Sequence, residues 1–390
     1  MVDNSLKLFA GTACTPEYAY ENAIIDIVGS EIKDVSEACS SNDADVVVSD
    51  GIAVPGFVDL HTHGYGGHYT TTDDPESFHG LTDAITQHGV TTVYPTTMSA
   101  SQETLLETAH AFASASESGF DGAKLEGLHL EGPYFPPGDQ QGAQDPEVFR
   151  EPSISELTAL KDASGNRISR LTLAPELDGA FPVIDWAREH GIVVSAGHTG
   201  GTYDRTVQAF DRGISLVTHL YNGMKQLHHR NPGPLGASLA EPAVGVELIA
   251  DLRHVHPAAI ELAFRAKDED ALVLVTDSIP QTGLPDGEYS LGGKPIVVED
   301  GQSRLKSTNR LAGSTLTMDT AVRNLVDEVG LSFEIAVRAA STNPATQMGL
   351  SRRGRLKPGY AADITVLDSE YSPVLTIVDG DVVYRASSRK

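Results

Sequence analysis

The stretch Val54-Pro-Gly-Phe-Val-Asp-Leu-His-Thr-His-Gly64 is an apolar run that ends abruptly in two histidines, His61 and His63. It predicts a buried strand, on which residues two apart point to the same face. Two neutral imidazoles on one rigid edge form a common half-site for a divalent metal. Most His-x-His pairs are surface or satisfied core histidines, so the metal interpretation depends on the residues at the ends of later strands.

The chain from Ile52 onward repeats a rhythm of strand, loop and helix. Apolar or β-branched runs predict eight strands, at residues 53–60, 92–96, 125–130, 170–175, 193–196, 215–218, 246–250 and 272–276. Amphipathic stretches predict helices between most of them. Eight strands alternating with helices predict an α/β fold, a (β/α)8 TIM-like barrel. A dinucleotide-binding sheet would need an early glycine fingerprint, which Gly64-Tyr-Gly-Gly67 does not supply.

The two ends of the chain follow a different pattern, with short apolar strands separated by turn-like polar pieces. Such strands are predicted within residues 1–52 and again within residues 358–390. We expect them to pair into one small β-sandwich domain, which leaves residues 53–357 as the barrel domain. A polar segment at residues 286–305 predicts a β-hairpin inserted after the last barrel strand.

The composition excludes several classes of partner. The net charge is −26, whereas nucleic acid and anionic membrane surfaces both need a basic footprint. No apolar run approaches the roughly 18 residues of a membrane span, and the N-terminus lacks a secretory signal. Only Cys14 and Cys39 are present, which argues against a disulfide framework or a cysteine-built zinc site. We predict a cytoplasmic protein whose acidic surface suits high salt.

Residues suited to metal binding and proton transfer recur where the predicted barrel strands end, which is where barrel active sites lie. After His61 and His63 at the first strand, the ends of later strands carry Glu131, His198, His219, His254 and Asp277. Successive strand ends can converge on one point. Together, four imidazoles and two carboxylates among these residues predict a nitrogen and oxygen site for a divalent metal, with room for water.

Each of these residues has a non-catalytic alternative. Glu131 and Asp277 could cap a turn or a helix, although an unpaired carboxylate after an apolar strand is costly to bury. His129 is expected to pack inside the barrel in a structural role. Five further histidines fall in polar or helical contexts and are expected at the surface: His68, His79, His88, His110 and His190.

Seven motifs carry a specific resemblance to a known family. They are His-Thr-His-Gly at 61–64, His-Leu-Glu-Gly-Pro at 129–133, Gly-His-Thr at 197–199, Thr-His-Leu-Tyr-Asn at 218–222, Asp-Leu-Arg-His-Val-His-Pro at 251–257, Val-Thr-Asp-Ser at 275–278 and Leu-Ala-Gly-Ser-Thr-Leu-Thr-Met-Asp at 311–319. The set closely resembles the N-acetylglucosamine-6-phosphate deacetylases of the amidohydrolase superfamily. The resemblance covers nearly the whole chain, from Pro55 to Asp363.

The resemblance implies roles for the strand-end residues. Glu131, His198 and His219 match the ligands of the family's principal metal. His61 and His63 match the ligands of a second metal, which family members without His-x-His lack. Asp277 resembles the general base and acid, and His254 matches the residue that polarises the acetyl carbonyl or orients the sugar.

The resemblance also implies a substrate site. Asn222 and Gly223 correspond to a phosphate site. Arg230 matches an arginine that reaches the phosphate of a neighbouring subunit, which implies a homodimer. The substrate would further contact five residues, namely Ala143, Gln144, Leu311, Ala312 and Gly313. Two positions depart from the family pattern: Gln144 stands where histidine is frequent, and Gly223 stands where alanine is usual.

The expected reaction is therefore removal of the N-acetyl group of N-acetyl-D-glucosamine 6-phosphate, with one or two divalent metals per subunit. Histidine and glutamate ligands suit zinc, iron, manganese or cobalt alike. One alternative is the galactosamine epimer, N-acetylgalactosamine 6-phosphate, or another amidohydrolase substrate such as a cyclic amide. Another is a metal-stabilised binding barrel without catalysis, against which Asp277 argues.

Overall fold

Eight parallel strands form a nearly closed barrel in the computed structural model, which describes residues 5–15 and 18–387. The strands are Phe57–Thr62, Val90–Thr97, Leu128–Glu131, Ile168–Leu173, Val193–Ala196, Ile214–Val217, Gly245–Leu248 and Leu272–Leu274. The short strand Lys124–Leu125 also pairs with the second of them. The ring closes where the Asp277 amide donates to the His61 carbonyl at 2.8 Å. The predicted barrel is confirmed.

The barrel strands are buried on both faces, as parallel strands covered by helices must be. Every residue of the first two strands is buried. Their side chains fill one core with the apolar faces of the surrounding helices. Ser101, Ser153 and Thr202 begin three of these helices, each accepting a hydrogen bond from a backbone amide three residues ahead.

Ten α-helices and four short 3-10 helices lie within the described residues. The α-helices are Pro75–Ala84, Gln102–Ser118, Ile154–Ala163, Ala180–Glu189, Tyr203–Arg212, Gly233–Ala240, Pro257–Ala266, Met318–Asp327, Phe333–Ala340 and Thr342–Gln347. The 3-10 helices are Ile85–His88, Asp139–Gln141, Pro146–Val148 and Glu269–Ala271. Among the described helices, none has both the length and the apolar character needed to cross a membrane.

Strands from the two ends of the chain pair with each other, as predicted. They are Ser5–Cys14, Ala19–Val28, Glu31–Glu37, Val46–Pro55, Ile364–Leu367, Pro373–Val378 and Asp381–Arg385. The two ends join where Ile364 pairs antiparallel with Pro55. The seven strands form one continuous hydrogen-bonded sheet, and strands from both ends of the chain share one apolar core. The edge strand Glu31–Glu37 contacts the segment that precedes the C-terminal strands, because the Ile32 amide donates a hydrogen bond to the Tyr360 carbonyl.

Gly56 alone separates this sheet from the first barrel strand. A Cβ atom at Gly56 would lie 2.2 Å from the Thr91 side chain, so only glycine fits this close approach. The direct connection fixes where the first barrel strand starts. It therefore also fixes the strand end at which His61 and His63 lie.

The segment after the eighth barrel strand forms three antiparallel strands, one more than the predicted hairpin. They are Gly287–Leu291, Lys294–Glu299 and Gln302–Leu305, and a two-stranded ribbon of Gly64–Tyr65 and His68–Tyr69 lies after the first barrel strand. Lys294 Nζ donates to the Gln144 carbonyl at 2.9 Å. The insertion thereby packs on the loop that follows the third barrel strand, at the end of the barrel where the predicted site lies.

Candidate active site

The Glu131 carboxylate lies at the centre of a buried histidine cluster. Its Oε1 atom is 3.1 Å from the Nε2 atoms of both His198 and His219. These two nitrogens are 3.2 Å apart. Glu131 ends the third barrel strand, and the two histidines follow the fifth and sixth. The three side chains predicted for a principal metal therefore converge.

His61 and His63 approach the same carboxylate from the first barrel strand. The His63 Nε2 atom is 3.3 Å from Glu131 Oε2, and His61 Nε2 is 3.5 Å from Oε1. Asp277 completes this side, with its Oδ1 atom 3.4 Å from His63 Nε2 and 3.6 Å from His61 Nε2. Glu131 thus belongs to both groups of potential metal ligands.

The outer nitrogen of each imidazole faces a hydrogen-bond acceptor. The partners of the Nδ1 atoms are the Gln140 carbonyl for His198, the Asn222 carbonyl for His219, the Thr96 carbonyl for His63 and the Glu247 carboxylate for His61. An acceptor there places the proton on Nδ1, so the Nε2 lone pair faces the cluster. Lone pairs that converge on a shared carboxylate fit a divalent cation between them.

Both carboxylates of the cluster are ionised. Burial alone would raise the pKa of Glu131, but the surrounding histidines outweigh it and hold the pKa well below its ordinary value. Burial likewise would raise the pKa of Asp277, but the neighbouring imidazoles of His61 and His63 outweigh it and lower that pKa on balance. The site therefore presents negative oxygen atoms next to imidazole nitrogens.

Three residues of the cluster adopt a backbone conformation that is uncommon outside glycine. The φ angles are 49° at His198, 31° at His219 and 49° at Asp277. Such positive values cost about 1–3 kcal/mol each and persist where the surrounding structure imposes them. The loops that leave the fifth, sixth and eighth strands therefore turn sharply, which brings their side chains to Glu131.

His254 stands apart from the ligand groups and pairs with Asp251. Its Nδ1 atom is 2.6 Å from Asp251 Oδ2, and its backbone amide donates to Asp251 Oδ1 at 2.7 Å. Burial would lower the pKa of His254, but the hydrogen bond and charge of Asp251 outweigh it and raise the pKa above its ordinary value. The pair therefore favours an imidazolium whose Nε2 atom also carries a proton.

A cavity of about 290 Å³ opens beside the cluster. Its lining contains many of the predicted residues, namely His63, Glu131, Ala143, Gln144, His198, His219, Asn222, Gly223, His254, Asp277, Leu311 and Gly313. Ala312 is fully buried and is not part of this lining. Arg230 lies on an exposed loop outside this lining, where its Nη1 atom is 2.7 Å from His229 Nε2. The fold thus brings together nearly all of the predicted site residues within one chain.

The sequence profile described as the amidohydrolase family matches residues 52–383. The chain belongs to the amidohydrolase family. An N-acetylgalactosamine-6-phosphate deacetylase of Escherichia coli O157:H7 is 38% identical over 347 residues, 89% of this chain and 90% of the relative. An N-acetylglucosamine-6-phosphate deacetylase of Bacillus subtilis (strain 168) is 35% identical over 340 residues, 86% and 85% of the two chains.

Solved structures agree with this assignment. An N-acetyl-D-glucosamine-6-phosphate deacetylase variant from Mycobacterium smegmatis, in complex with N-acetyl-D-glucosamine-6-phosphate, superposes with a TM-score of 0.91. It shares 32% sequence identity and covers 97% of this amidohydrolase and 99% of that chain. The superfamily is metal-dependent, and the two histidine and glutamate groups are candidate metal-binding groups.

Gln144 of the amidohydrolase is engaged within the protein. Its Nε2 atom donates to Glu131 Oε2, and its Oε1 atom accepts from the Ser99 amide at 2.8 Å. The side chain is buried, although the residue also lines the cavity. Gln144 therefore orients Glu131, and its predicted contact with a sugar stays a prediction.

Two other histidines have defined surroundings. His129 is buried between Thr96 Oγ1 at 3.0 Å and Thr172 Oγ1 at 2.8 Å, inside the barrel as expected. The surface prediction was wrong for His88. It is largely enclosed, with Tyr65 Oη 2.6 Å from Nε2 and Asp319 3.1 Å from Nδ1. The polar residues around His88 indicated a surface position, but its partner Asp319 lies more than 200 positions away in the sequence.

Sequence reasoning missed four residues next to the site. Arg310 lines the cavity, and Asp251 pairs with His254. Arg170 and Glu247 are fully buried inside the barrel. The signal for the last two was present, because each places a charge within a barrel strand that is otherwise uncharged. The signal for Asp251 was its position three residues before His254.

Proposed function

We propose that this amidohydrolase removes the N-acetyl group of N-acetyl-D-glucosamine 6-phosphate, giving D-glucosamine 6-phosphate and acetate. The observation that carries the proposal is the placement of an ionised Asp277 and an imidazolium-favouring His254 on the lining of one cavity. Asp277 itself belongs to the buried cluster around Glu131. The relatives with this activity support the same reaction. We assign it to the barrel domain of residues 53–357, in the cytoplasm.

Glu131, His198 and His219 would hold a principal divalent metal, and His61 and His63 would hold a second with Glu131. Zinc, iron, manganese and cobalt all suit these nitrogen and oxygen donors. When bound, such a metal acts as a Lewis acid and lowers the pKa of a bound water from about 16 towards 7. The buried Nε2 atoms and the ionised Glu131 are arranged for that task.

Asp277 is the proposed base and acid. Its lowered pKa keeps the carboxylate ionised at neutral pH, so it can accept a proton from the attacking water. The water oxygen then bonds to the acetyl carbon. The same proton passes from Asp277 to the amide nitrogen as the carbon–nitrogen bond breaks, because an unprotonated amine anion leaves very poorly. The products are the free amine and acetic acid, which loses the second proton of the water to solvent and leaves as acetate.

His254 is the proposed partner of the developing oxyanion. In an imidazolium both ring nitrogens carry protons, so Nδ1 donates to Asp251 while Nε2 donates to the acetyl oxygen. Donors placed where negative charge develops supply the electrostatic stabilisation that is usually the largest contribution to such reactions. Asp251 acts as a positioning residue, since it reaches the substrate only through His254.

The phosphate would be held by Asn222 and the backbone of Gly223, with Arg230 contributed by a partner subunit. Arg230 lies outside the lining of its own cavity, as a residue that serves a neighbouring site would. The proposed assembly is therefore a homodimer. Leu311, Ala312, Gly313 and Ala143 would line the sugar, and Gln144 is proposed to contact it. Binding energy from the phosphate would position the acetyl group for attack.

The second candidate substrate is N-acetylgalactosamine 6-phosphate. It is favoured by one observation, the 38% identity to an N-acetylgalactosamine-6-phosphate deacetylase. A side-by-side assay of acetate release separates the candidates. We expect the higher kcat/KM with N-acetyl-D-glucosamine 6-phosphate, and a large rise in KM with unphosphorylated N-acetyl-D-glucosamine. A higher kcat/KM for the galactosamine epimer would identify N-acetylgalactosamine 6-phosphate as the substrate instead. Acetate release from neither sugar phosphate would reject the proposed function.

A further inference from the structure

Arg170 and Glu247 are two charged side chains buried inside the barrel that the proposed reaction does not use. Both side chains have no solvent exposure. Burying a charge is costly unless an opposite charge and further hydrogen bonds compensate it. Replacing such a pair by apolar residues often leaves a protein equally stable. Stability alone therefore does not explain why the barrel contains this buried ion pair.

Glu247, on the seventh barrel strand, connects the two sides of the histidine cluster. One carboxylate oxygen forms an ion pair with Arg170. The other, Oε2, lies 3.2 Å from His61 Nδ1. The same Oε2 atom accepts a hydrogen bond from the His219 backbone amide at 3.2 Å. One buried carboxylate thus orients the ring of His61 and contacts the main chain of His219.

Arg170, on the fourth barrel strand, forms the ion pair with that carboxylate. Its guanidinium donates to the Leu60 carbonyl at 3.0 Å, directly before His61 in the chain. It also donates to Ser195 Oγ at 3.1 and 3.0 Å and to Thr218 Oγ1 at 3.4 Å. These partners belong to the first strand, the fifth strand and the end of the sixth. The ends of several strands that carry ligands are therefore tied to one side chain.

His61 differs from the other three imidazoles of the cluster in its outer partner. The Nδ1 atoms of His63, His198 and His219 face neutral backbone carbonyls, whereas that of His61 faces the Glu247 carboxylate. A carboxylate on the outer nitrogen fixes the tautomer of a histidine ligand and raises its basicity. His61 lies wholly inside the protein, so it depends on Glu247 for this orientation.

We propose that the Arg170–Glu247 pair positions His61 so that the His61–His63 side of the cluster binds a second divalent metal. The pair would thereby determine whether the chain holds one metal or two. The inference rests on the metal centre of the proposed function. Arg170 and Glu247 are positioning residues, because neither belongs to the two groups of potential metal ligands or lines the cavity.

Zinc binding to the metal-free, full-length protein tests the inference, by calorimetric titration and by elemental analysis after dialysis. We expect two zinc ions per chain in the wild type. In the double variant Arg170→Met with Glu247→Leu, which leaves no unpaired charge, we expect the second zinc to bind about 10- to 100-fold more weakly. The first should bind as in the wild type.

A matched control is Glu156→Gln, which changes a buried glutamate that pairs with Arg150 away from the cluster. This variant should keep two zinc ions. Glu247→Asp provides a second test should the double variant not fold, since it keeps a charge for Arg170 and withdraws the carboxylate from His61. Glu247→Asp should also weaken the binding of the second zinc ion. Circular dichroism and the midpoint of thermal unfolding report whether each metal-free variant is folded.

The outcomes separate the inference from the proposed function. Two zinc ions bound with wild-type affinity in folded variants would overturn the inference, and so would loss of both ions or a wild type with only one. A lower unfolding midpoint with unchanged zinc binding would show a purely structural pair, which also overturns it. A wild type that binds no zinc, iron, manganese or cobalt would reject the metal centre of the proposed function.

Discussion

The two sides of the histidine cluster share Glu131 but are built differently. His198 and His219 lie just beyond their strands, in turns with positive φ angles, and their rings are held by backbone carbonyls of nearby loops. His61 and His63 lie at the end of a continuous barrel strand and its connection. Loop conformation positions His198 and His219. Strand geometry and the buried Arg170–Glu247 ion pair position the side with His61 and His63.

This difference explains why the two sides should respond differently to substitution. The side with His198 and His219 depends less on charged groups, since backbone carbonyls orient both rings. The other side combines the His-x-His spacing with Glu247 and Arg170 beneath it. We therefore expect the first side to be required for activity and the second to add to it.

The largest effect is expected from His198→Ala. It removes one of three ligands on the side of the principal metal and leaves Glu131 and His219 without a third. A metal in such a site contributes several kcal/mol to catalysis, so kcat/KM should fall by at least about 10³-fold. Elemental analysis should show loss of that metal. Normal metal content together with normal activity would contradict this assignment.

Asp277→Asn tests the proton transfer that is proposed for Asp277. The amide cannot take a proton from water, so kcat should fall by about 10³-fold. The carboxamide is close in size to the carboxylate, and the histidines and Glu131 are untouched, so the metal content should stay as in the wild type. Steady-state kinetics with elemental analysis checks both. Turnover near the wild-type rate would remove Asp277 from its proposed role.

Asp251→Asn tests the pair that favours the imidazolium of His254. The hydrogen bond and charge of Asp251 raise the pKa of His254 against the effect of burial, so the substitution lowers that pKa. Activity that needs the imidazolium is lost as pH rises through this pKa. The alkaline limb of the kcat profile should therefore move to lower pH, and kcat at neutral pH should fall by about 10²-fold. An unmoved limb would exclude this role.

His63→Ala should have a smaller effect than His198→Ala. It removes one ligand from the second side while Glu131, His198 and His219 keep the first. We expect one metal per chain and a fall in kcat of about 10-fold, the lower end of the range for a group that supports a metal site. Metal content and kcat are measured together. Equal losses in the two variants would show that the sides are not distinct.

Gly223→Ala should have the smallest effect. Gly223 has a φ angle of 57°, and a Cβ atom there would lie 3.0 Å from His198 Nδ1. Alanine at such a position costs about 1 kcal/mol of unfolding free energy. The crowding acts on the first side of the cluster only. Urea unfolding measures the change, and an unchanged free energy would show that the loop adjusts without strain.

The barrel could be predicted because its strands and helices have clear periodic patterns. The strand Val193–Ala196 has the predicted bounds. The helix Gly233–Ala240 was missed, because glycine and proline at its start are typical of loops. The pairing of the terminal strands was predicted, but their order within one hydrogen-bonded sheet was not, because local alternation does not specify which strands are neighbours.

The cluster could be predicted because barrel topology brings strand ends together, whatever their separation in sequence. The hydrogen-bond partners of the outer imidazole nitrogens could not be predicted. The Glu247 contact to His61 joins residues 186 positions apart, and its register depends on how the barrel closes. The bond from the Gln144 amide to Glu131 could not be predicted from the sequence either. Local sequence identifies groups that can react, whereas three-dimensional packing decides which groups orient them.

The most direct test of the central claim is a titration of the metal-free enzyme with zinc, with acetate release from N-acetyl-D-glucosamine 6-phosphate measured at each step. We predict no activity without metal, most of the activity after one equivalent per chain and a further rise with the second. Full activity in the metal-free enzyme would contradict the account. So would activity that appears only after the second equivalent, because the first side of the cluster would then not suffice.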